Sequence, residues 1–148
     1  MFFWKKKKER WVESPVHNNW YQTSSYFLSS FALITTVNED GITSIGPYQL
    51  CFPFGVWESQ EWIVISRGGS NTSTNLKRVK KCALNFVEYD RGKLKDVIDL
   101  GYPEQNPEEK MNGCPIELEE TPTIAYREDP ERPEVIKDAF QVFECELN

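Results

Sequence analysis

The chain has 148 residues and a formal net charge of −6, and a chain of this length is expected to form one domain. Its hydrophobic fraction of 39%, with five Trp, nine Phe and six Tyr, is sufficient for a core, and its mixed charges argue against intrinsic disorder. The negative net charge opposes binding to the phosphate backbone of nucleic acids. No apolar segment approaches the roughly 20 residues that span a bilayer. We therefore expect a folded domain with no nucleic-acid partner and no stable membrane association.

The cysteines are widely separated and form no C-x-x-C motif. Because the chain also has a single histidine, a zinc site is not expected. No segment has the pattern of a secretory signal peptide, so we interpret the cysteines as reduced, mostly buried thiols of a cytoplasmic protein. A disulfide remains the alternative interpretation. The four cysteines are Cys51, Cys82, Cys114 and Cys145.

Residues 1–25 are predicted to form an N-terminal arm, and residues 26–148 the folded domain. The first ten residues join three aromatic side chains to a run of Lys and Arg. One interpretation is a membrane-surface or polyanion anchor that combines aromatic insertion with positive charge. The interpretation that we favour is an arm whose aromatic side chains pack on the domain or on a partner subunit, because a single signal of this kind gives weak membrane binding.

A β-hairpin is predicted at the start of the domain. Apolar and β-branched residues predict a first strand over residues 26–37, and a second run predicts a strand over residues 42–50. The turn between them contains Asp40 and Gly41, and glycine accepts the positive φ that tight turns require.

A strand, a polar loop and a helix are predicted to follow one another. Residues 62–66 are almost continuously apolar, which predicts a strand buried on both faces. The loop, residues 67–75, combines Gly68 and Gly69 with Ser, Thr and Asn, and residues 72–81 are predicted to be helical. Backbone N–H groups at a helix start favour an anion, so the loop has the chemistry of a phosphate site. Ordinary helix capping by Ser, Thr or Asn explains the same pattern.

The remaining elements are predicted less directly. Residues 51–60 indicate a loop or a broken strand whose aromatic side chains Phe52, Phe54 and Trp57 either stack on a flat ring or join the core. Leu94, Val97, Ile98 and Leu100 have helical spacing, and Gly101 is the expected stop. Strands are predicted over residues 82–89 and 139–147, and a short helical turn over residues 110–114.

Five short motifs occur in order between residues 31 and 88. They are ALITT at 32–36, DG at 40–41, SIGPYQ at 44–49, TSTNL at 72–76 and ALNF at 83–86. In order and spacing this segment resembles the FMN-binding split-barrel domain of the flavin reductase-like family. Ser44 stands where that family often has Asn, and Gln49 stands where it often has Ser.

The resemblance implies a mainly β fold with few helices, a split β-barrel that is either shortened at the C-terminus or completed by a partner subunit. It also implies FMN as the cofactor. The isoalloxazine would be lined by Pro47, Tyr48, Gln49 and Leu50, largely through backbone groups, with Thr35 and Thr36 near the ring. The ribityl phosphate would be held by Ser66, Arg67, Asn71, Thr72 and Asn75.

The function implied by the resemblance is that of a flavin reductase-like oxidoreductase in which NAD(P)H docks transiently and reduces the flavin. The flavin carries this chemistry, so no catalytic side chain is expected, and no Rossmann glycine motif is present. We also expect a homodimer, as is usual in the family. The alternative is a flavin-binding or electron-transfer module without reductase activity, because a fold alone does not determine function.

Overall fold

Two short strands precede the main body of the fold. β1 (Phe2–Trp4) and β2 (Val12–Ser14) pair antiparallel. The computed structural model describes these two strands and residues 30–54, 60–102 and 107–148. The rest of the predicted N-terminal arm, and with it both interpretations of the arm, lies outside the described residues.

The predicted hairpin is confirmed, with shorter strands. β3 (Ala32–Val37) pairs antiparallel with β4 (Thr43–Tyr48), whereas we predicted residues 26–37 and 42–50. In the turn, Gly41 has φ of +80°, and the side-chain oxygen of Asn38 accepts hydrogen bonds from the N–H groups of Asp40 (3.0 Å) and Ile42 (2.8 Å). This side chain completes the turn, which is a common role of Asn.

A second hairpin contains part of the segment predicted as a loop or a broken strand and part of the strand predicted after it. β5 (Cys51–Phe54) pairs only with β6 (Glu61–Val64) among the described residues. The prediction that residues 62–66 are buried on both faces is wrong, because Ile65 is 54% exposed and β6 covers the core with one face only. Trp57 lies outside the described residues. Pro53 is tolerated because β5 is an edge strand.

The predicted helix after the glycine loop is α1 (Asn71–Val79). It begins at Ser70, whose Oγ accepts a hydrogen bond from the N–H of Ser73 at 3.1 Å. It ends at Lys80, which is left-handed with φ of +59° and donates its N–H to the carbonyl of Leu76 at 2.8 Å. β7 (Lys81–Val87) follows at once, so the helix ends earlier than predicted.

Two further helices follow β7. α2 (Leu94–Leu100) ends at Gly101 as predicted, and α3 (Pro107–Met111) lies slightly before the helical turn predicted at residues 110–114. The chain continues through the short paired strands β8 (Leu118–Glu119) and β9 (Val135–Ile136), with one 3-10 turn between them at Ile124–Tyr126. β10 (Ala139–Glu146) confirms the strand predicted over residues 139–147.

The centre of the fold is a four-stranded antiparallel sheet in the order β10-β7-β3-β4. Every residue of β3 is buried, because the strand is paired on both sides and both sheet faces are covered. One face carries a cluster around Ile34 and Leu84, against which Trp62 of β6 packs with its ring 5.0 Å from that of Phe143. The other face carries a cluster around Leu33 and Ile45, covered by Val97 and Leu100 of α2 and by Ile136 of β9.

Asn85 connects β9 to the centre of the sheet. Its side chain is fully buried, its Nδ2 donates to the carbonyl of Leu33 at 2.9 Å, and its Oδ1 accepts the N–H of Ile136 at 2.9 Å. A buried amide must have such partners. The described part of the chain is mainly β with three short α-helices, as predicted, and its sheets do not close into one continuous barrel.

Candidate functional site

A cavity of about 900 Å³ lies where β4, the loop after β6, the start of α1 and the α2–α3 segment meet. This volume lies within the usual range for small-molecule sites. Eight of the eleven residues implied by the family resemblance line it. They are Pro47, Tyr48, Gln49, Leu50, Ser66, Arg67, Asn71 and Thr72.

The start of α1 lies unusually close to β4. A Cβ atom built on Gly46 would be 2.5 Å from Oγ1 of Thr72, which real side chains do not tolerate. Glycine therefore allows the helix to approach the strand. Thr72 itself is buried, so this contact fixes the start of the helix against the floor of the cavity.

Three hydroxyl groups connect the strand, the loop and the helix cap. The hydroxyl of Tyr48 hydrogen bonds with Oγ of Ser66 at 2.7 Å and with Oγ of Ser70 at 3.3 Å, and the two serine hydroxyls are 2.8 Å apart. Ser70 is also the N-cap of α1. The hydroxyls can rotate, so they can redirect a donor to a ligand without a change of the backbone.

Two basic side chains line the cavity. Arg67 follows β6, and Lys110 belongs to α3. The Nζ of Lys110 donates to the carbonyl of Leu100 at 3.2 Å and to that of Tyr102. Burial lowers the pKa of Lys110, and the positive charge of Arg67 lowers it further. Two cations near one another are stabilised by an anion between them.

No carboxylate lines the cavity among the described residues. The N-terminus of α1, with its backbone N–H groups and positive dipole end, adds to the field of the two cations. The remaining wall is largely apolar. Its apolar side chains are those of Ile45, Pro47, Leu50, Ile65, Leu100, Tyr102 and Met111.

Three of the predicted residues do not line the cavity. Thr35 and Thr36 are fully buried inside the sheet, and Asn75 is buried beneath α1. The Nδ2 of Asn75 donates to Oγ1 of Thr36 at 3.1 Å and to Oγ of Ser44 at 3.2 Å. Thr35 receives a hydrogen bond from Nδ2 of Asn85 at 3.3 Å. These side chains hold α1 and the strands together, because their polar atoms are already paired within the protein.

Three residues that line the cavity were not predicted from the sequence. They are Lys110, Tyr102 and Met111. They reach the cavity because α2 and α3 pack beside β4, where Gly101 brings the chain to Pro47; a Cβ atom on Gly101 would be 3.1 Å from Cγ of Pro47. This placement is long-range in sequence. The sequence predicted helical structure at residues 94–100 and 110–114, but no pattern linked either segment to the site.

The donors and the apolar wall fit FMN. A flat ring system requires an apolar surface with a few polar groups, and the hydroxyls, the cations and the start of α1 provide an environment for a phosphate. The three residues that line no part of the cavity are not needed for this fit.

Sequence comparison finds no matching family model and no matching curated protein. Solved structures are similar. 2-Nitrobenzoate 2-nitroreductase NbaA from Pseudomonas fluorescens superposes with a TM-score of 0.69 at 18% identity, over 92% of this chain and 62% of that protein. An FMN-binding protein from Thermus thermophilus, solved with bound 1-cyclohex-2-enone, gives a TM-score of 0.65 at 15% identity, over 97% of this chain and 69% of that protein.

A third similar structure is a flavin reductase-like protein with a split barrel domain from Shewanella frigidimarina NCIMB 400. It gives a TM-score of 0.67 at 13% identity, over 85% of this chain and 59% of that protein. The chain thus spans less than two thirds of the length of the nitroreductase and of the Shewanella protein. The chain therefore has the split-barrel fold of flavin reductase-like, FMN-binding proteins.

Proposed function

We propose that this chain is an FMN-binding flavoprotein that acts as a flavin reductase-like oxidoreductase with NAD(P)H as the reductant. The observation that carries the proposal is the cavity, in which an apolar wall meets a cationic end without carboxylates among the described residues. The fold similarity supports it, since the superposed proteins include an FMN-binding protein.

The ring of FMN would lie against the end of β4 and the side chains of α2 and α3. Pro47 and Leu50 offer apolar surface, and the backbone groups at Tyr48 and Gln49 offer donors and acceptors for the ring edge. The hydrogen bonds of Tyr48 with Ser66 and Ser70 hold this end of the strand in place.

The phosphate of FMN would lie at the start of α1. Asn71 and Thr72 contribute the first helical N–H groups, and Ser66 contributes a hydroxyl. Arg67 and Lys110 contribute positive charge. Charge-assisted hydrogen bonds of this type are about twice as strong as neutral ones.

A bound flavin supplies the hydride-transfer chemistry. The chain binds and orients the ring, pairs the phosphate and leaves one side of the cavity open to a second molecule. None of its own titratable groups is required to exchange a proton. This division of roles agrees with a cavity whose described lining contains no carboxylate and no histidine.

We extend the proposal to a homodimer in the cytoplasm. Leu50, Phe52, Phe54 and Ile65 on the β5–β6 hairpin are exposed, and Leu50 and Ile65 also line the cavity. A second copy that covers this surface would also cover the side of the cavity that Leu50 and Ile65 form. No helix in the described part of the chain is long and apolar enough to cross a membrane.

The proposal is tested by titrating flavin-stripped protein with FMN and, separately, with riboflavin, followed by intrinsic Trp fluorescence. We expect saturable FMN binding that weakens about tenfold or more in Arg67→Ala and in Lys110→Ala, because a hydrogen bond to a charged group contributes about 1.5–3 kcal/mol. Riboflavin lacks the phosphate, so its affinity should change little in either variant.

Lys77→Ala is the matched control, because Lys77 is an exposed cation on α1 that does not line the cavity. It should bind FMN like the unmodified chain. Failure of the folded protein to bind FMN at high micromolar concentration would overturn the cofactor assignment. Equal losses for FMN and riboflavin would mean that the two cations do not contact the phosphate.

The oxidoreductase part of the proposal has its own test. The FMN-loaded protein is mixed with NADH or NADPH, and the absorbance of the nicotinamide and of the oxidised flavin is followed with and without oxygen. We expect bleaching of the flavin and consumption of the nicotinamide. A protein that binds FMN and consumes neither nucleotide is instead the electron-transfer module.

A further inference from the structure

Two cysteines lie opposite each other on neighbouring strands of the central sheet. Cys82 of β7 and Cys145 of β10 are directly paired in the antiparallel register, so their side chains point to the same face. Opposite residues in such a pair have Cα atoms about 4.5–5.5 Å apart. Disulfides span Cα distances of about 4.4–6.8 Å, so the backbone already has the spacing that a disulfide needs.

The two thiols interact with each other. Hydrogen bonding with Cys82 is the largest cause of a lowered pKa at Cys145, whose Sγ also donates to the carbonyl of Phe143 at 3.7 Å. The positive charge of Arg132 lowers that pKa further, against burial. Hydrogen bonding with Cys145, with burial, raises the pKa of Cys82. Cys145 is therefore the better nucleophile, and Cys82 retains the proton.

Arg132 is an unusual neighbour for a pair of thiols. Its side chain is only 5% exposed, lies over the ring of Tyr126 and forms an ion pair with Glu146. Its Nε has no hydrogen-bond partner among the described residues, although a carboxylate oxygen of Asp129 is 3.9 Å away. A buried guanidinium with an unused donor, whose charge lowers the pKa of Cys145, is suited to stabilise a thiolate.

A third cysteine, Cys51, packs in the same apolar cluster as Cys82 and Cys145, but it differs from this pair. Cys51 is fully buried, and burial raises its pKa to about 11. Cys145 is only half-buried, so a small oxidant in solvent can reach it, whereas the sulfur of Cys51 is neither ionised nor accessible. None of the three lines the candidate flavin cavity, so the pair does not depend on the proposed function.

We propose that Cys82 and Cys145 form a redox-active dithiol, which hydrogen peroxide converts into a cross-strand disulfide and which a dithiol reductant restores. The thiolate sulfur of Cys145 attacks one oxygen of the peroxide, and the O–O bond breaks. The products are a sulfenic acid on Cys145 and a hydroxide, which takes up one proton to become water. The sulfur of Cys82 then attacks the sulfur of Cys145. The S–S bond forms, and the sulfenic oxygen leaves as a second water with the proton of Cys82.

Overall, two thiols and one hydrogen peroxide give one disulfide and two waters, and two electrons pass from sulfur to oxygen. Because Cys82 lies directly opposite Cys145 on the neighbouring strand, it competes well with a second peroxide that would carry Cys145 to sulfinic acid. Disulfides are rare in reducing compartments, and those that do form there are usually transient and either catalytic or redox-sensing.

The test uses the complete chain, reduced and freed of reductant, then treated with hydrogen peroxide under native conditions. The protein is denatured, free thiols are alkylated, and intact mass and peptide maps are recorded. We expect that two of the four thiols become inaccessible to alkylation, that the mapped bond joins Cys82 to Cys145, and that dithiothreitol restores both thiols.

Four free thiols after treatment, a bond that includes Cys51, or sulfinic acid at Cys145 without a disulfide would each overturn the proposal. These outcomes are read from the unmodified protein, so they do not depend on the folding of a variant. Cys114→Ser is the matched control and should form the disulfide as before, since Cys114 belongs to neither strand.

Two variants test the assigned roles. Cys82→Ser should lose the disulfide and accumulate sulfenic acid on Cys145, which a cyclic 1,3-diketone such as dimedone traps as an adduct. Arg132→Gln should shift the pH dependence of Cys145 alkylation to higher pH, because the positioning cation is gone. An unchanged pH profile in a folded Arg132→Gln protein, or no adduct in folded Cys82→Ser, would contradict the assignment.

Discussion

The two walls of the cavity are held in place by different means. The α1 wall is connected to the sheet by buried polar contacts, in which Asn75 bonds to Thr36 and Ser44, and by the close approach of Thr72 to Gly46. The α2–α3 wall packs on the sheet through the apolar side chains of Val97 and Leu100, and Lys110 donates to the carbonyl groups of Leu100 and Tyr102 at the end of α2.

This difference separates two tasks. The α1 wall has its polar groups paired within the protein, so it can present an anion site of fixed geometry. The α2–α3 wall brings a partly desolvated cation whose charge is unfavourable until an anion arrives. Substitutions on the first wall should therefore change stability and binding together, whereas removal of the Lys110 side chain on the second should change binding more than stability.

The largest effect should follow from Gly46→Val. The added side chain meets Thr72, a β-branched residue with few rotamers, so α1 must move. We expect a loss of about 3 kcal/mol in unfolding free energy, at the upper end of overpacking costs, together with loss of FMN binding. Urea unfolding and FMN titration measure the two effects. Gly68→Ala, where an added Cβ meets nothing within 4 Å, should leave both nearly unchanged.

Asn75→Ala tests the buried contacts of the first wall. Removal of the amide leaves the hydroxyls of Thr36 and Ser44 with each other, 3.3 Å apart, and with the carbonyl of Thr36, to which Ser44 Oγ donates at 3.4 Å. We expect the unfolding free energy to fall by about 1–2 kcal/mol, the cost of buried polar groups that lose a partner. Thr74→Ala, at an exposed position of the same helix, is the control. Because alanine favours the helix more than asparagine or threonine does, helix propensity cannot cause a loss, and an equal loss in both variants would show that the buried amide is not its cause.

Lys110 should make both the stability of the protein and its affinity for FMN depend on pH, and the two dependences should have opposite signs. The pKa of Lys110 in the folded chain is below the ordinary 10.5. At pH values between the folded-state pKa and 10.5, the unfolded chain therefore binds more protons than the folded chain. The contribution of Lys110 to stability therefore increases as pH rises through this window. FMN affinity should fall over the same window, because the cation is lost.

The matched comparison for this pH dependence is Lys110→Arg, since arginine stays charged at these pH values. Chemical unfolding and FMN titration of both proteins between pH 8 and about 10.5 provide the measurement. The difference between the two proteins removes the flavin's own titration. Parallel pH profiles for the two proteins would rule out Lys110 as the titrating group.

Tyr48→Phe should have the smallest effect. The serine hydroxyls of Ser66 and Ser70 already lie 2.8 Å apart, so they keep each other as partners when the phenol is removed. We expect a change of less than about 1 kcal/mol in unfolding free energy and a change of threefold or less in FMN affinity. A much larger loss of affinity would indicate that the phenol itself contacts the ligand.

The sequence predicted those parts of the molecule that depend on local chemistry. The hairpin depends on Asn38 and Gly41, the start of α1 depends on the capping serine at Ser70, and α2 stops at Gly101. All three were visible because the cause and the structure lie within a few residues of one another. The cavity lining from Pro47 to Leu50 and around Arg67 was located through the family resemblance.

The failures have a common physical origin in contacts between distant segments. The apolar composition of residues 62–66 does not reveal that β6 pairs with β5 alone within the described ranges, or that Ile65 after the strand is exposed. Thr36 and Asn75, which the family resemblance places at the flavin, bond to each other across 39 residues of sequence, a contact that no local pattern shows. Lys110 depends on where α3 packs, which no local pattern specifies.

The amide side chain of Asn85 has a consequence for the order in which the chain assembles. The N–H of Ile136 has its partner on that side chain, which acquires its position only once β3 and β7 are paired around it. The β8–β9 pair cannot be stable before the central strands meet. Segments that depend on a prior contact open together with it, so the Ile136 amide should exchange with deuterium as slowly as the centre of the sheet, although β9 has only two residues.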